Sequence, residues 1–170
     1  MTVAFDRPFN QKIRINGLRL CGFAILPLVL FTASGWGGLG QALLHGAGTF
    51  CIVLAVLGRF WAILYIGGRK YREVMRDGPY SLCRHPLYLF SSIGAAGFGL
   101  SLGSLTLTAL IGGVVFAILF LTAAREEAFL RHGFGPHYDD YAAQVPRMVP
   151  AGRFHSPAKV SFDTDALMRN

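Results

Sequence analysis

Charge is scarce in this sequence. Charged residues fill 15% of its 170 positions and hydrophobic ones 53%, and the mean hydropathy is +0.46. A soluble domain carries about 25% charged residues, so this composition excludes an ordinary soluble globule and points to a chain that meets lipid. Cysteine is also scarce: Cys21, Cys51 and Cys83 are odd in number, far apart and without a C-x-x-C pair. That excludes a disulfide framework and a structural zinc site. His45, His132, His137 and His155 have no ligand-like spacing, so no metal is expected. Acidic residues number nine against sixteen Lys and Arg, a formal charge of +7. Such a surplus suits nucleic acid, a membrane surface or the flanks of membrane spans, and the positions of the charges decide between them.

Uncharged apolar runs lie at about 20–34, 43–58, continuing past Arg59 to 66, 87–102 and 104–123. A span needs about 20 apolar residues. At about 1.5 Å per residue the third run falls short of a hydrocarbon core roughly 30 Å thick. It is predicted to stop early, turn at Gly103-Ser104 and hand over to the fourth. Arg7, Lys12, Arg14 and Arg19 precede the first run. Arg69, Lys70, Arg72, Arg76 and Arg84 separate the second from the third, and Arg125, Arg131, Arg147, Arg153, Lys159 and Arg169 follow the fourth. The loops after the first and third runs carry none. This asymmetry predicts both termini in the cytoplasm and leaves no basic stripe for nucleic acid.

The expected fold class is all-α integral membrane. A single domain over 1–150 has four transmembrane helices at about 18–34, 43–66, 86–102 and 104–124, the last two forming a helical hairpin. Short cytoplasmic interfacial helices are added over 134–150, where Tyr138 and Tyr141 share a face at i, i+3. Residues 151–170 read as a loosely ordered polar tail. "GWGGLG" at 35–40 matches G-x-G-x-x-G, but it joins two membrane helices rather than a strand and a helix, so it reads as a loop. The basic leader and apolar core ending at Thr32-Ala33-Ser34 imitate a secretory signal; the four-span charge pattern predicts that they are retained.

Three features carry chemistry. Arg59 sits about seven residues inside the end of the second run. There it either snorkels to the interface or faces an internal polar cavity, binding an anion or pairing with a glutamate. Glu126 and Glu127 lie where the fourth run ends. Being about 100° apart on a helix, one can face the bundle and the other water; the alternative is a solvated charged face with Arg125. The third is "RDGPYSLCRHPLYLF" at 76–90. Gly78-Pro79 predicts a turn and Pro86 suits the first position of a helix. That helix would open near His85 with free N–H groups that attract an anion beside Arg84. Tyr80 and Tyr88 offer aromatic faces to a base or a cation. A boundary belt of aromatics and arginine is the competing reading.

"GPYSLCRHPLYLF", followed about forty residues later by "REEAFL", then "FG..Y..Y" and "VPRMVP", resembles the isoprenylcysteine carboxyl methyltransferase family and the related membrane phospholipid methyltransferases, over about residues 57–150. The resemblance implies an integral-membrane methyltransferase that uses S-adenosylmethionine at the cytoplasmic end of the last helices. It implies that Tyr80, His85, Pro86, Leu87 and Tyr88 line the cofactor pocket, that Val74 and Met75 contribute backbone, and that Glu126 holds a polar group of the cofactor. Catalytic roles are expected of Arg59 and Arg84 in orienting an anionic group, and of Glu127 or His85 as base if the acceptor is an amine. The substrate would be lipophilic: a prenylated protein, a lipid or a small molecule.

The chain also departs from that family. Phe90 stands where many members have glycine, and Thr122 and Ala123 stand where a substrate-binding arginine is usual. Two other classes compete with the methyltransferase. One is a membrane oxidoreductase of sterol-reductase-like fold using NADPH, which needs phosphate-binding residues not seen here. The other is a non-enzymatic lipid-binding or scaffold protein.

Overall fold

The structure, a computed structural model, describes residues 12–31, 35–66 and 73–156. These form six helices and no strand: α1 Lys12–Phe31, α2 Gly38–Ile66, α3 Pro79–Leu82, α4 Pro86–Ser101, α5 Leu105–Phe134 and α6 Pro136–Gln144. Arg14–Phe31 of α1, α2 and α5 are each long and apolar enough to cross a membrane. The chain is therefore an all-helical, multi-pass membrane protein. α4, with 16 residues, is not among the three. Arg7, Thr32-Ala33-Ser34, Arg69, Lys70, Arg72, Lys159 and Arg169 lie outside the described residues.

Local chemistry accounts for the helix ends. Pro86 opens α4, where its lack of an N–H costs no hydrogen bond. At the other end Gly103 takes φ +68, a conformation that favours glycine, and its N–H donates to Leu100 O at 2.8 Å. Ser104 then caps α5, its Oγ accepting from Leu107 N at 3.2 Å. The predicted turn between the third and fourth apolar runs is thus present at Gly103-Ser104. Gly78, at φ +58, turns the chain into α3 at Pro79. "GWGGLG" is non-helical at 35–37 and enters α2 at Gly38, whose φ of +53 suits glycine.

Packing divides the chain into two compact units of discontinuous sequence. One contains residues 10–57 and 88–122. Its helices approach closely through glycine. A Cβ on Gly97 of α4 would lie 2.7 Å from Cys51 Cβ and 2.9 Å from Gly48 O of α2, and one on Gly112 of α5 would lie 2.9 Å from Ala96 Cβ of α4. Lipid offers little hydrophobic drive for helix association, so such backbone-to-backbone packing carries much of it. α1 joins this unit through Arg14, whose Nη1 donates to Tyr88 Oη at 3.3 Å and whose guanidinium lies 5.8 Å from that ring's centroid.

The other unit contains residues 58–87 and everything described from 123 onward. Ala62, Met75 and Tyr80 form its apolar cluster, flanked by Tyr65, Ile66 and Leu87. Residues 145–156 form a strap hydrogen-bonded along the 78–85 segment. Arg84 N donates to Pro146 O at 2.9 Å, His85 N to Arg147 O at 3.0 Å, Gly152 N to Leu82 O at 3.1 Å and Gly78 N to His155 O at 2.7 Å. Tyr65 Oη and Ser156 Oγ meet at 2.8 Å, and Phe154 packs on Trp61 with centroids 6.2 Å apart. Residues 151–156, expected as loose tail, are therefore tied down; residues 157–170 lie outside the described residues.

The glycine contacts give a stability prediction. Gly97→Leu should push α4 off α2 and destabilise by about 1–3 kcal/mol or more, seen as a lower Tm in detergent. Gly46→Ala, with no atom within 4 Å of the added methyl, should leave Tm unchanged or slightly raised.

Candidate functional site

α5 has 30 residues and is about 45 Å long at about 1.5 Å per residue. Its apolar stretch covers about the first twenty residues, the length of a span. The remaining turns project beyond, and Glu126 and Glu127 stand on them.

Both glutamates are buried, Glu126 8% exposed and Glu127 not at all. This corrects the expectation that one would face water: the turns that outrun the span are packed within their unit rather than solvated. Glu127 is the hub. Arg147 grips it with two parallel bonds, Nε to Oε1 at 2.9 Å and Nη2 to Oε2 at 3.0 Å. Arg84 adds Nε and Nη2 to Oε1 at 3.0 and 2.9 Å. His85 Nε2 lies 3.4 Å from the same oxygen, and its Nδ1 lies 3.9 Å from Glu126 Oε2. Such bidentate, charge-assisted pairing keeps a fully buried carboxylate ionised, and it raises the Arg147 guanidinium above its usual value.

Arg84 has no nitrogen to spare. Its Nη1 donates to Ala142 O at 2.6 Å and Val145 O at 2.8 Å, the free carbonyls at the end of α6. A cation there also suits the helix dipole. The expected open N-terminus at His85 is likewise modified, because the His85 N–H is taken by Arg147 O. Arg59, expected to face an internal cavity or pair with a glutamate, is exposed on α2 and donates from Nη1 to Leu87 O at 3.3 Å.

The expected cofactor residues fall into groups. His85 and Glu126 meet in the ion cluster. Met75, Tyr80 and Leu87 share the apolar cluster, Val74 is half-buried beside Met75, and Pro86 is buried. Tyr88 belongs to the other unit, where it is engaged by Arg14. Tyr141 Oη donates to Tyr80 O at 2.7 Å, anchoring α6 to the 78–85 segment; burial raises its phenol well above the usual range. Burial also pushes the Cys83 thiol up to about 11, against a smaller pull from the His85 backbone N–H.

Arg147 was missed by sequence reasoning, although "VPRMVP" was part of the resemblance. The signal was a basic residue between two prolines, where an extended chain holds its side chain and its carbonyl in place. Among the described residues, no three His, Cys, Asp or Glu side chains group as metal ligands.

A turn bearing Arg-His-Pro is thus bound to a glutamate pair on a long membrane helix. Residues 39–137 match the phospholipid methyltransferase family, and the chain belongs to that family. It is 39% identical over 164 residues to nickel-cobalt-cadmium resistance protein NccN of Alcaligenes xylosoxydans xylosoxydans, covering 95% of this chain and 76% of that one. It is 38% identical over 144 residues to cobalt-zinc-cadmium resistance protein CzcN of Cupriavidus metallidurans, covering 84% and 66%. A likeness to protein-S-isoprenylcysteine O-methyltransferase of Schizosaccharomyces pombe, 34% over 81 residues, covers 48% and 34%. The resemblance drawn from the motifs is thereby borne out. No solved structure gives a significant match.

Two outcomes test this geometry. Glu127→Ala leaves two guanidiniums unbalanced, Arg84 among them at 9% side-chain exposure, and should cost about 3–5 kcal/mol. Arg147→Ala leaves Glu127 with Arg84 and His85 and should cost less; Tm values in detergent give the order. In a Cys21→Ser/Cys51→Ser background, Cys83 should resist maleimide at pH 8, where a thiol with its pKa near 11 is about 0.1% ionised. It should label once the protein is unfolded.

Proposed function

We propose that this chain is an S-adenosylmethionine-dependent methyltransferase acting on a membrane-embedded or lipophilic substrate through a carboxylate or amine nucleophile. The observation that carries this reading is the meeting of His85 with both Glu126 and Glu127 in one buried cluster, in a chain that belongs to a methyltransferase family. In this reading α4 is a short fourth crossing, paired with α5 as a hairpin, and both termini are cytoplasmic, in line with the basic residues between spans.

The residues present fit such a cofactor. Glu126 is a buried acceptor for its amino or hydroxyl hydrogens, and the cluster of Met75, Tyr80 and Leu87 offers apolar and aromatic surface for its adenine. Val74 and Pro86 belong to the same expected lining, while Tyr88 lies in the other unit. When bound, adenosylmethionine would supply a methyl group on a sulfonium, whose sulfur leaves as a neutral thioether when an aligned nucleophile takes the methyl.

The chain's own part is to bind, align and exclude water. Glu127 and Arg84 are saturated by protein contacts, so they act here as positioning residues rather than as base and anion site. They hold the ring of His85 from one side and the end of α6 from the other. A carboxylate acceptor needs no base. An amine acceptor must lose a proton, and a ring nitrogen of His85 is the group to take it, with Glu126 and Glu127 beside the ring. Arg59, tied to the start of α4, would in this reading meet an anionic group arriving from the interface.

The names of two relatives speak of resistance to nickel, cobalt, zinc or cadmium. In this reading the contribution to such a trait would be methylation of a membrane component, since both oxygens of Glu127 already serve guanidiniums.

Titration of the detergent-purified protein with adenosylmethionine and with NADPH tests the proposal. Binding of the first and not the second is expected, weakened tenfold or more by His85→Ala or Glu126→Ala. Folded wild-type protein that fails to bind adenosylmethionine refutes the reading. Labelled methyl, traced into lipid and protein fractions, identifies the acceptor.

A further inference from the structure

α1 runs beside α4 and α5 without filling the space between them. At Gly17 the helices touch, since a Cβ there would lie 3.6 Å from Ile118 Cγ2 of α5, whereas no described atom lies within 4 Å of a Cβ on Gly22. The gap that opens is a groove of about 220 Å³, with Leu18, Ile25 and Val29 of α1 on one side and Phe98 of α4 and Ile111 of α5 on the other. All of these residues belong to one packing unit.

The shape of the groove limits what can fill it. Its α1 residues recur at i, i+7 and i+11, one face of a helix. Leu18 to Val29 covers about 16 Å at about 1.5 Å per residue, close to half of a hydrocarbon core roughly 30 Å thick, or one leaflet. The volume is below the roughly 300–1,000 Å³ of a pocket for a drug-sized molecule. Gly22 and Leu26, both exposed, leave its outer side open. A narrow apolar groove of leaflet length, open to the bilayer, suits one acyl chain.

One end of the groove is charged. Arg14 precedes Leu18 by four residues, so the two side chains are neighbours on one face of α1. Its Nη1 lies 3.3 Å from Tyr88 Oη at the start of α4. Lys12, Arg14 and Arg19 all fall near the start of α1, which contains no acidic residue. A guanidinium presents its donors in a fork that matches a phosphate, and basic residues at a span's end attract anionic lipid. Charge and groove therefore follow each other along α1 as phosphate and acyl chain do in a phospholipid.

We propose that this groove and Arg14 hold one anionic glycerophospholipid, with an acyl chain along α1 and the phosphate at the guanidinium. The lipid fastens α1 to α4 and α5 where Gly22 makes no contact. The inference is independent of the methyltransferase reading, and α1 lies outside the residues 39–137 that match the family.

Native mass spectrometry of the detergent-purified protein reads the site, by titration with dioleoylphosphatidylglycerol, dioleoylphosphatidylcholine and glycerophosphoglycerol, which lacks acyl chains. One phosphatidylglycerol per chain should bind about tenfold more tightly than phosphatidylcholine, and glycerophosphoglycerol should not bind. Gly22→Leu fills the groove from a position with open surroundings. Its lipid-free Tm should equal or exceed that of wild type while phosphatidylglycerol binds about tenfold more weakly. Arg14→Gln should abolish the preference between the two lipids. Gly46→Leu, on α2 with equally open surroundings, should bind both as wild type does.

Equal affinity of wild type for the two lipids, or phosphatidylglycerol binding that survives Gly22→Leu, overturns the proposal. A second copy of the chain in the groove would overturn it too. Cys21 lines the groove, so in a Cys51→Ser/Cys83→Ser background a disulfide between copies in phosphatidylglycerol liposomes would reveal that occupant; none is expected. If Arg14→Gln does not fold, the comparison of Gly22→Leu with Gly46→Leu decides.

Discussion

A carboxylate with no solvent contact persists in its charged form only if protein groups replace its hydration completely. Glu127 meets that condition through two guanidiniums and an imidazole, and its unit is organised around them. Arg84 reaches from Glu127 to the carbonyls that end α6. Arg147 reaches from Glu127 to the turn before α4, where its carbonyl receives the His85 amide. One buried negative charge thus joins α5, α6, the strap and the Arg-His-Pro turn, so the motif residues are fixed as a group rather than separately.

Helix length provides the scaffold. α5 is about ten residues longer than a bilayer crossing requires, and the excess carries the glutamates on a rigid element instead of a loop. α4, with 16 residues, starts at a proline and ends at a left-handed glycine, so both of its ends are chemically defined. Rigid elements lower the cost of orienting the side chains they carry.

Within this family assignment, the division of labour between adjacent residues is the main new point. Glu126 and Glu127 are alike in sequence and both are buried. Glu127 is saturated by guanidiniums; Glu126 meets the other ring nitrogen of His85 at 3.9 Å. The same holds for Tyr138 and Tyr141, where one hydroxyl anchors a backbone carbonyl and the other is unserved among the described residues.

The sequence alone determined what depends on local patterning. Three helices long enough to span a membrane, the start of α4 at Pro86, the turn at Gly103-Ser104 and the turn at Gly78-Pro79 all follow from hydropathy and backbone preference, which act over a few residues. The coupling of Arg-His-Pro to a glutamate pair was legible as a motif. The tertiary structure decided which guanidiniums reach Glu127, that both glutamates are buried, that Arg59 lies on an outer surface, and that residues 145–156 strap the turn. Those outcomes depend on groups between 20 and 91 residues apart meeting within about 3 Å. No periodicity or propensity encodes that proximity, because the energy of a buried charge is set by whatever surrounds it in space.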